Sequence, residues 1–498
     1  MRERVLLFVG TVVCSLMCGL TFSGETEAAV TPKLKTKNIT LTEGKTKIIG
    51  ITGKRIKSKK FESTKKSVAT VSKKGKVTAK KKGKCKIKIT VKYYKKSKKR
   101  KLSVKKWVCP VQVKEGKKPT RPQLQVSDTF VKQMADTSIE MMKRNAGDCL
   151  KQNKNVLISP ESVITAMAMA VNGAAGNTLS EMQNSLYGGM SVEEFNKNMM
   201  NYNDTLVLSN QVKFHLANSI WVKKGMESIG VKADYIEKNQ KYFHSQFFQE
   251  PFTNDTVKKM NEWVSENTEK MIPSIINEIP EEVGMYLINA LCFQGRWEEQ
   301  YRKENVKEET FTSATGEKQK VSMLNSTERA YIEDEKAIGV MKDYEGSEYA
   351  FAAILPKEGV TVADYLNDMT GDSFRALMKS VSSPLVETKI PSFSYEYETD
   401  MKQTMQDMGI KEAFLPTADF SYISSIDFYI NSILHKTKIE LDQYGTKAAA
   451  ATTIAMTVTS APVGKPKKVY LDRPFIYAIV EKQTSLPIFI GVLNSVEE

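Results

Sequence analysis

Positive charge is concentrated in one short part of this chain, which limits how the chain can fold. Residues 30–120 contain 33 lysines and arginines but only 3 aspartates and glutamates. The whole chain of 498 residues has a formal net charge of +17. Residues 30–120 carry +30 and residues 1–29 carry −1, which leaves −12 for residues 121–498. Two domains are the expected number at this length. The sequence therefore predicts a very basic module joined to a larger, acidic body.

The first 29 residues have the pattern of a secretory signal peptide. Two arginines precede an apolar run, Val5 to Phe22, and residues 26–29 offer small side chains for cleavage. Cys14 and Cys18 leave a lipoprotein site as an alternative. No later run is apolar over the length of a membrane span. We therefore expect a secreted protein, extracellular or associated with the cell surface, with no transmembrane segment.

Residues 30–118 alternate apolar residues with lysines in short runs, which is typical of strands rather than of a disordered basic tail. The runs are KIIGITG, SVATVS, GKVTAK, KCKIKITVKYY and KLSVKKWVCPVQV. The order of SVATVS, GKVTA and the strand Ile87–Val91 resembles a bacterial immunoglobulin-like domain of surface proteins. Cys85 and Cys109 are candidates for a disulfide, because a secreted chain is oxidised. A hairpin turning near Ser97 would place these two cysteines opposite each other.

The lysines of this basic domain point to an anionic partner. In a secreted protein we expect an anionic cell-wall polymer or an acidic glycan, and the main alternative is a plain solvated spacer. Nucleic acid is the least favoured partner, because only Tyr93, Tyr94 and Trp107 could stack on bases. The residues expected to make contacts include Lys80, Lys81, Lys82 and Lys95–Lys101.

A second unusual segment lies between Gly445 and Pro462. The stretch TKAAAATTIAMTVTSA contains no proline, no glycine and one charge, Lys447, which is unlike an ordinary loop. In an extended chain, alternate side chains share a face. One face would grow from small to large apolar side chains: Thr446, Ala448, Ala450, Thr452, Ile454, Met456 and Val458. This pattern suits a segment that enters the centre of a sheet, and the alternatives are an alanine-rich helix or a linker.

The sequences around this segment resemble the reactive-centre region of the serpin family of serine protease inhibitors. LHKTKIELDQYGTKAAAAT resembles the strand and hinge before a serpin reactive loop, and VYLDRPFIYAIVEKQTSLPIFIGVLN resembles the two strands after it. The resemblance covers about residues 125–494. Further matches follow in the family's order: NVLISPESVITAMAMAVNGAAGNTLSEM (155–182), LANSIWV (216–222), MNEWVSENTEKMIPSII (260–276), LINALCFQGRW (287–297), VSML (321–324), FAAILP (351–356) and KIPSFS (389–394).

This resemblance implies an α+β fold with mixed helices, a large central sheet and an exposed reactive loop. A small all-β immunoglobulin-like sandwich would precede it. The expected divisions are a signal peptide at 1–29, the basic immunoglobulin-like domain at 30–118, a linker at 119–126 and the serpin domain at 127–498.

The resemblance also implies a mechanical function. In the family, a target protease cleaves the loop and forms an acyl-enzyme, and the freed hinge then inserts into the central sheet and traps the protease. The matching hinge residues are Gly445, Thr446, Lys447, Ala448, Ala449, Ala450, Ala451 and Thr452. Ser159, Ser162, Asn289 and His435 match the shutter, a buried polar cluster beneath the sheet. Trp297 matches the tryptophan of the breach, where insertion begins. The small, neutral Thr446 favours an inhibitory member, whereas Gln443 and Lys447 stand where glutamate is frequent.

The family's hinge length places the reactive bond between Thr459 and Ser460. The loop beyond it is longer than usual, so Met456 and Val458 are alternative reactive residues. These side chains favour elastase-like or subtilisin-like serine proteases over trypsin-like ones.

Catalytic and cofactor motifs are absent from the sequence. The chain has three histidines, and it contains no GxSxG, HExxH, paired CxxC or phosphate-binding glycine loop. We expect a monomer without enzymatic activity, cofactor or metal, whose covalent partner is a target serine protease. We also expect buried free thiols at Cys149 and Cys292. The runner-up is a non-inhibitory serpin that acts as a surface binding or structural protein through its basic domain.

Overall fold

The computed structural model describes residues 31–42, 45–95, 102–114, 124–209, 211–224, 230–281, 283–427, 429–446 and 466–497. The chain divides into two compact units, residues 1–120 and 121–498. In the described part of the chain, no helix is both long enough and apolar enough to cross a membrane.

The first unit is a sandwich of two small sheets around one apolar core. Its strands are β1 (Lys33–Leu34), β2 (Ile39–Thr42), β3 (Thr46–Ile48), β4 (Ile51–Thr52), β5 (Ile56–Ser63), β6 (Ala69–Val71), β7 (Lys76–Ala79), β8 (Gly83–Tyr94) and β9 (Leu102–Lys114). The larger sheet has the order β2-β9-β8-β5, the smaller sheet has the order β3-β7-β6, and β1 pairs with β4. On β8, Ile87, Ile89 and Val91 are buried while the residues between them point outward. The predicted strand alternation is confirmed.

Cys85 and Cys109 both point into this core, but they do not lie opposite each other. Cys85 pairs with Val111 and Cys109 pairs with Ile87, so the register differs by two residues from the expected one. Both cysteines are buried free thiols, and burial raises the pKa of Cys109. The predicted opposition is wrong. Alternation determines which face a cysteine occupies, but it does not determine how far along the hairpin its partner lies.

Helices of the second unit begin where the sequence offers capping residues. Ser159 accepts a hydrogen bond from the backbone of Ser162, and Pro160 occupies the first helical position, so the sequence SPES starts a helix. The helices are α1 (Asp128–Lys151), α2 (Pro160–Val171), α3 (Gly176–Leu186), α4 (Val192–Val207), α5 (Ala233–Phe243), α6 (Asn254–Asn267), α7 (Val362–Asp368), α8 (Gly371–Lys379) and α9 (Lys402–Asp407), with 3-10 turns at Lys303–Asn305 and Glu412–Phe414.

Three sheets complete the described part of the second unit. Their strands are β10 (Val156–Ile158), β11 (Lys213–Lys223), β12 (Gln246–Glu250), β13 (Met285–Arg296), β14 (Val306–Thr312), β15 (Lys318–Glu328), β16 (Tyr331–Glu333), β17 (Ala337–Asp343), β18 (Tyr349–Pro356), β19 (Val386–Pro391), β20 (Phe393–Asp400), β21 (Leu434–Asp442), β22 (Gly445–Thr446), β23 (Lys467–Tyr470), β24 (Phe475–Glu481) and β25 (Leu486–Leu493). The sheets have the orders β10-β25-β24-β18-β17-β16, β12-β11-β13-β22-β21-β20 and β14-β15-β19-β23. We call the second of these the central sheet.

The central sheet packs on the sheet that contains β24 and β25. Every residue of these two strands is buried, which explains why they carry no charged residue except Glu481 at the end of β24. Across the interface, the hydroxyl groups of Tyr395 and Tyr477 share a hydrogen bond of 2.6 Å. One face of the central sheet is therefore packed against the core of the second unit.

Candidate functional site

The central sheet is interrupted between β13 and β21. The two-residue strand β22 pairs with Gly295 and Arg296 on one side and with Leu441 and Asp442 on the other. Beyond β22, no backbone pairing joins β13 to β21 within the described residues. We call the space between these two strands the slot.

The slot is narrow near β22 and wide at its far end. The space beside Thr446, lined by Leu291, Phe293 and Ile439, is only about 10 Å³. Further along, between the Met285–Leu291 part of β13 and the start of β21, lies a cavity of about 210 Å³. The slot therefore widens from a methyl-sized gap to a space that could hold large side chains.

Gly445 is required by the close approach of two strands at the narrow end. Its φ is +149°, and a Cβ at this position would overlap the carbonyl oxygen of Gly295 and lie 2.8 Å from the Cα of Arg296. Only glycine can occupy such a position.

Thr446 is buried, with 2% of its surface exposed, and its hydroxyl lies 2.6 Å from the hydroxyl of Tyr344. Burial raises the pKa of Tyr344. The side chain of Thr446 therefore points into the core, and a hydrogen bond satisfies it there.

Trp297 supports the turn that leads into β22. Its Nε1 donates to the carbonyl oxygen of Asp442 at 2.9 Å, and its backbone N–H donates to Tyr444 at 3.0 Å. Its ring stacks on Tyr344, with centroids 4.7 Å apart. The structure thus places Trp297 at the end of the slot where β22 begins, the position expected for the breach.

Lys342 lies buried beside the ring of Trp297. Sequence reasoning did not identify it as a functional residue. Its side chain is 3% exposed and its ammonium lies 2.6 Å from the carboxylate of Glu328. The ammonium also lies 4.5 Å from the ring centroid of Tyr301. Burial by itself would lower the pKa of Lys342, but Tyr301 and Glu328 raise it above its ordinary value. A lysine inside the apolar strand AIGVMKD was the only signal for this ion pair.

The four predicted shutter residues lie together at the wide end of the slot. Nε2 of His435 accepts from the backbone N–H of Ser159 at 3.0 Å, and the Ser159 hydroxyl donates to the carbonyl oxygen of Ile488 at 2.9 Å. The Ser162 hydroxyl donates to Oδ1 of Asn289. The start of α2 therefore connects both strands that border the slot.

His435 on β21 and Asn289 on β13 line the same cavity from its two sides. No hydrogen bond joins the two residues in the described structure, because Asn289 bonds to Ser162 and Asn218 instead. Burial lowers the pKa of His435 to about 4, so the imidazole is neutral at physiological pH. The polar cluster is thus anchored to α2 rather than closed across the slot.

Glu161 lies between the two shutter serines on α2 and is a second residue that sequence reasoning missed. It is 1% exposed and accepts a hydrogen bond from Thr165 at 2.8 Å. Burial raises the pKa of Glu161 to about 7, and this hydrogen bond offsets the effect only in part. A titratable group therefore lies in the first turn of the helix that connects the two sides of the slot.

Other predicted residues lie outside the described residues or differ from expectation. Cys292 is a buried free thiol as expected, but Cys149 is only half-buried, because it lies near the end of α1 beside the hydroxyl of Tyr397. No group of three or more metal-ligating side chains occurs among the described residues. Predicted residues outside the described ranges are residues 96–101 of the basic domain and Lys447, Ala448, Ala449, Ala450, Ala451, Thr452, Met456, Val458, Thr459 and Ser460.

Comparison with family models gives one match for each unit of the chain. Residues 132–496 match the model described as serpin (serine protease inhibitor). Residues 26–102 match the model described as bacterial Ig-like domain (group 2). The predicted fold of both regions is confirmed.

Individual relatives cover most of the second unit. An uncharacterised serpin-like protein of Methanosarcina acetivorans is 30% identical over 352 residues, covering 68% of this chain and 82% of that protein. The native-state structure of the thermophilic serpin tengpin is 40% identical, with a TM-score of 0.70, covering 74% of this chain and 95% of that one. Thyroxine-binding globulin, solved in complex with thyroxine, shares the fold at 20% identity and a TM-score of 0.65, covering 74% of this chain and 100% of that one.

Proposed function

We propose that this chain, which belongs to the serpin family, is a secreted suicide inhibitor of serine proteases. In this proposal the target cleaves the loop between β22 and β23, becomes trapped as an acyl-enzyme, and is displaced when residues from Lys447 onward enter the slot. The protein would act once per molecule, without enzymatic turnover.

The half-formed strand β22 is the observation that carries this proposal. Thr446 pairs with Gly295 and Leu441. Extending this register places Ala448 between Phe293 and Ile439, and Ala450 between Leu291 and Thr437. This pairing supports the proposal because it provides a register that an inserted loop could continue.

The side chains of the loop match the changing width of the slot. Ala448 and Ala450 would enter the narrow part, which holds about 10 Å³. In the same register Thr452 comes to lie between Asn289 and His435, and its hydroxyl can bond within the shutter. Ile454 and Met456 would then fill the cavity of about 210 Å³. Complete burial of each large side chain is worth about 1.5–3 kcal/mol.

Lys447 would lie on the opposite face of the inserted strand. The register places it beside Gln294 and Glu440, and both side chains are partly exposed. A cation next to Glu440 is favourable, so the lysine that replaces the family's frequent glutamate should not hinder insertion.

The length of the insert determines how far the protease travels. Fourteen residues in a strand, from Gly445 to Val458, span roughly 45 Å. We propose Thr459–Ser460 as the reactive bond, with Met456 and Val458 as alternatives. Small and apolar residues at these positions suit the pockets of elastase-like and subtilisin-like enzymes.

The decisive experiment mixes the purified protein with an elastase, followed by denaturing electrophoresis and mass spectrometry of the released peptide. A covalent complex that survives SDS is expected, and the peptide mass identifies the reactive bond. Clean cleavage without a complex, and with no rise in the thermal stability of the cut protein, would contradict the proposal.

A matched pair of variants tests the hinge. Thr446→Arg should convert the inhibitor into a substrate, because insertion would bury an unpaired guanidinium in the core. Lys447→Arg introduces the same side chain on the outward face and should leave complex formation unchanged. Full trapping by Thr446→Arg would refute the proposed direction of the side chains.

The basic domain supports a second proposed role, attachment to an anionic cell-surface polymer. Lys80, Lys81, Lys82 and Lys95 are exposed, and the domain is a separate unit with its own core. If the elastase experiment shows no trapping and no loop insertion, a non-inhibitory protein acting through this domain becomes the better candidate.

A further inference from the structure

One face of the sheet β2-β9-β8-β5 is dominated by lysines. Alternate residues of β8 point outward, and antiparallel pairing places residues of β5 and β9 on the same face: Lys60 and Lys106 both pair with Thr90. We call the exposed lysines of this surface the lysine face: Lys60, Lys84, Lys86, Lys88, Lys92, Lys106 and Lys114.

Acidic groups hardly neutralise the lysine face. Glu62 is the only acidic residue among the described residues of the domain, and its carboxylate lies 2.7 Å from the ammonium of Lys60. Lys60 lowers the pKa of Glu62, and the charge of Lys88 lowers it further. Within the described part of the domain, no other carboxylate is present to pair with the remaining lysines of this face.

The charges follow a regular line. Alternate residues of an antiparallel strand are about 6.8 Å apart, so the row from Lys84 to Lys92 extends over about 27 Å. Thr90 interrupts this row, but Lys60 and Lys106 flank it on the neighbouring strands, each about 4.8 Å away. A linear polymer in which short carbon units separate phosphates repeats its charge at a comparable interval.

Exposed apolar side chains lie beside the lysines. On the outward face of β9, Leu102 is 39% exposed and Val104 and Val108 are each 52% exposed. Such a stripe can contact the carbon units between the phosphates while the lysines contact the phosphates themselves. A polymer lying along β8 could therefore contact the lysine row with its phosphates and the neighbouring apolar stripe of β9 with its carbon units.

Among the described residues, this face carries a single aromatic ring, that of Tyr94 at the end of the β8 row. Tyr93 is 5% exposed and Trp107 packs against the inner core, so neither can stack on a base. Tyr94 is half-buried, with the ammonium of Lys57 over its ring at 5.9 Å. Binding of single-stranded nucleic acid normally relies on exposed aromatic rings, so this face suits a phosphate chain without bases.

We propose that the lysine face binds a linear, base-free phosphodiester polymer of the cell envelope. This inference refines the surface attachment proposed above and is independent of protease inhibition. Binding would release counterions from the polymer and would therefore weaken as salt increases.

The test measures binding of the full chain to an immobilised synthetic glycerol phosphate oligomer at two salt concentrations. The face variant carries Lys84→Gln, Lys86→Gln, Lys88→Gln and Lys92→Gln. The control variant carries Lys65→Gln, Lys66→Gln, Lys73→Gln and Lys74→Gln, which remove the same charge from exposed turns next to β6. We expect at least about tenfold weaker binding for the face variant and little change for the control.

Three results would overturn the inference. Equal weakening in both variants would mean that only bulk charge matters. An oligothymidylate of equal charge that binds as tightly as the glycerol phosphate oligomer would identify a nucleic-acid surface. Binding to phosphatidylglycerol vesicles but not to the oligomer would identify a membrane surface. Both variants should still trap elastase, so a failure of inhibition would be seen separately.

Discussion

The two ends of the slot differ in how completely they are assembled. At the hinge end, Gly445 and Thr446 are paired on both sides and Thr446 is hydrogen-bonded to Tyr344. At the shutter end, His435 and Asn289 face a cavity of about 210 Å³ and bond to α2 instead of to each other. The hinge end resembles a finished sheet, whereas the shutter end has room for a strand.

This difference indicates where the driving force for insertion would come from. Packed protein interiors leave few voids, and an unfilled apolar cavity lacks the contacts that its lining could make. In the proposed mechanism, the shutter end supplies most of the energy when large side chains fill it. The pairing of β22 at the hinge end determines which residues of β13 and β21 the inserted strand would face. The following predictions test this division, from the largest expected effect to the smallest.

Truncating a side chain that would fill the cavity should affect only the cleaved protein. Ile454→Ala should lower the stability of the loop-cleaved form by about 2–5 kcal/mol, and Ile454→Val by about 1 kcal/mol. The uncleaved form should be unchanged. Denaturant unfolding of both forms measures this, with Val463→Ala, beyond the reactive bond, as the control. Equal stability of the cleaved variants would show that Ile454 does not reach the cavity.

The shutter end should be sensitive to pH through Glu161. Its pKa is 4.5 in the unfolded chain and about 7 in the fold. Between these values the folded protein holds a proton that the unfolded chain has released, so stability falls as pH rises. The loss amounts to about 3 kcal/mol above pH 7. Glu161→Gln should be more stable by this amount at pH 8, whereas the exposed Glu194→Gln should show no gain. A Glu161→Gln variant that gained nothing would mean that the carboxyl is solvated.

Through His435, the stability of the fold should instead fall as the pH decreases. The pKa of His435 falls from 6.5 to about 4 on folding, so the unfolded chain binds a proton that the fold does not. Stability is therefore lost as pH decreases from 6.5 towards 4. Glu161 masks this trend in the same range, so the test uses the Glu161→Gln background. There, about 2 kcal/mol should be lost between pH 7.5 and pH 5, and adding His435→Gln should abolish the loss. If the stability loss between pH 7.5 and pH 5 persists after His435→Gln, another titratable group causes it.

Substitutions at the hinge end should have the smallest effect on the free energy of unfolding. Tyr344→Phe leaves the buried hydroxyl of Thr446 without its partner and should cost about 1–2 kcal/mol in thermal or denaturant unfolding. Adding Thr446→Val should recover part of this, as a double-mutant cycle would detect. Tyr187→Phe is the matched control, because the buried Tyr187 hydroxyl has no hydrogen-bond partner among the described residues. Equal effects of Tyr344→Phe and Tyr187→Phe would show that the hydrogen bond between Tyr344 and Thr446 does not stabilise the hinge end.

Motifs and periodicity in the sequence predicted much of this architecture. The alternation of lysine and apolar residues predicted the strands of the basic domain, because a strand's side chains alternate between two faces. The SPES motif and His435 could be assigned to one cluster because the order of motifs followed a known family. Glycine at position 445 and small residues after it marked the hinge for the same reason.

Other features depended on contacts between residues that are distant in sequence, and only the tertiary structure revealed them. Lys342 on β17 meets Glu328 on β15 beside the ring of Trp297, although these two strands belong to different sheets. Cys109 lies opposite Ile87 because the hairpin pairs in a register that alternation alone does not specify. The sequence by itself thus determined which faces are apolar and which segments match a family. The distances across the slot and the shape of its cavity were decided by packing, because they depend on side chains from several elements at once.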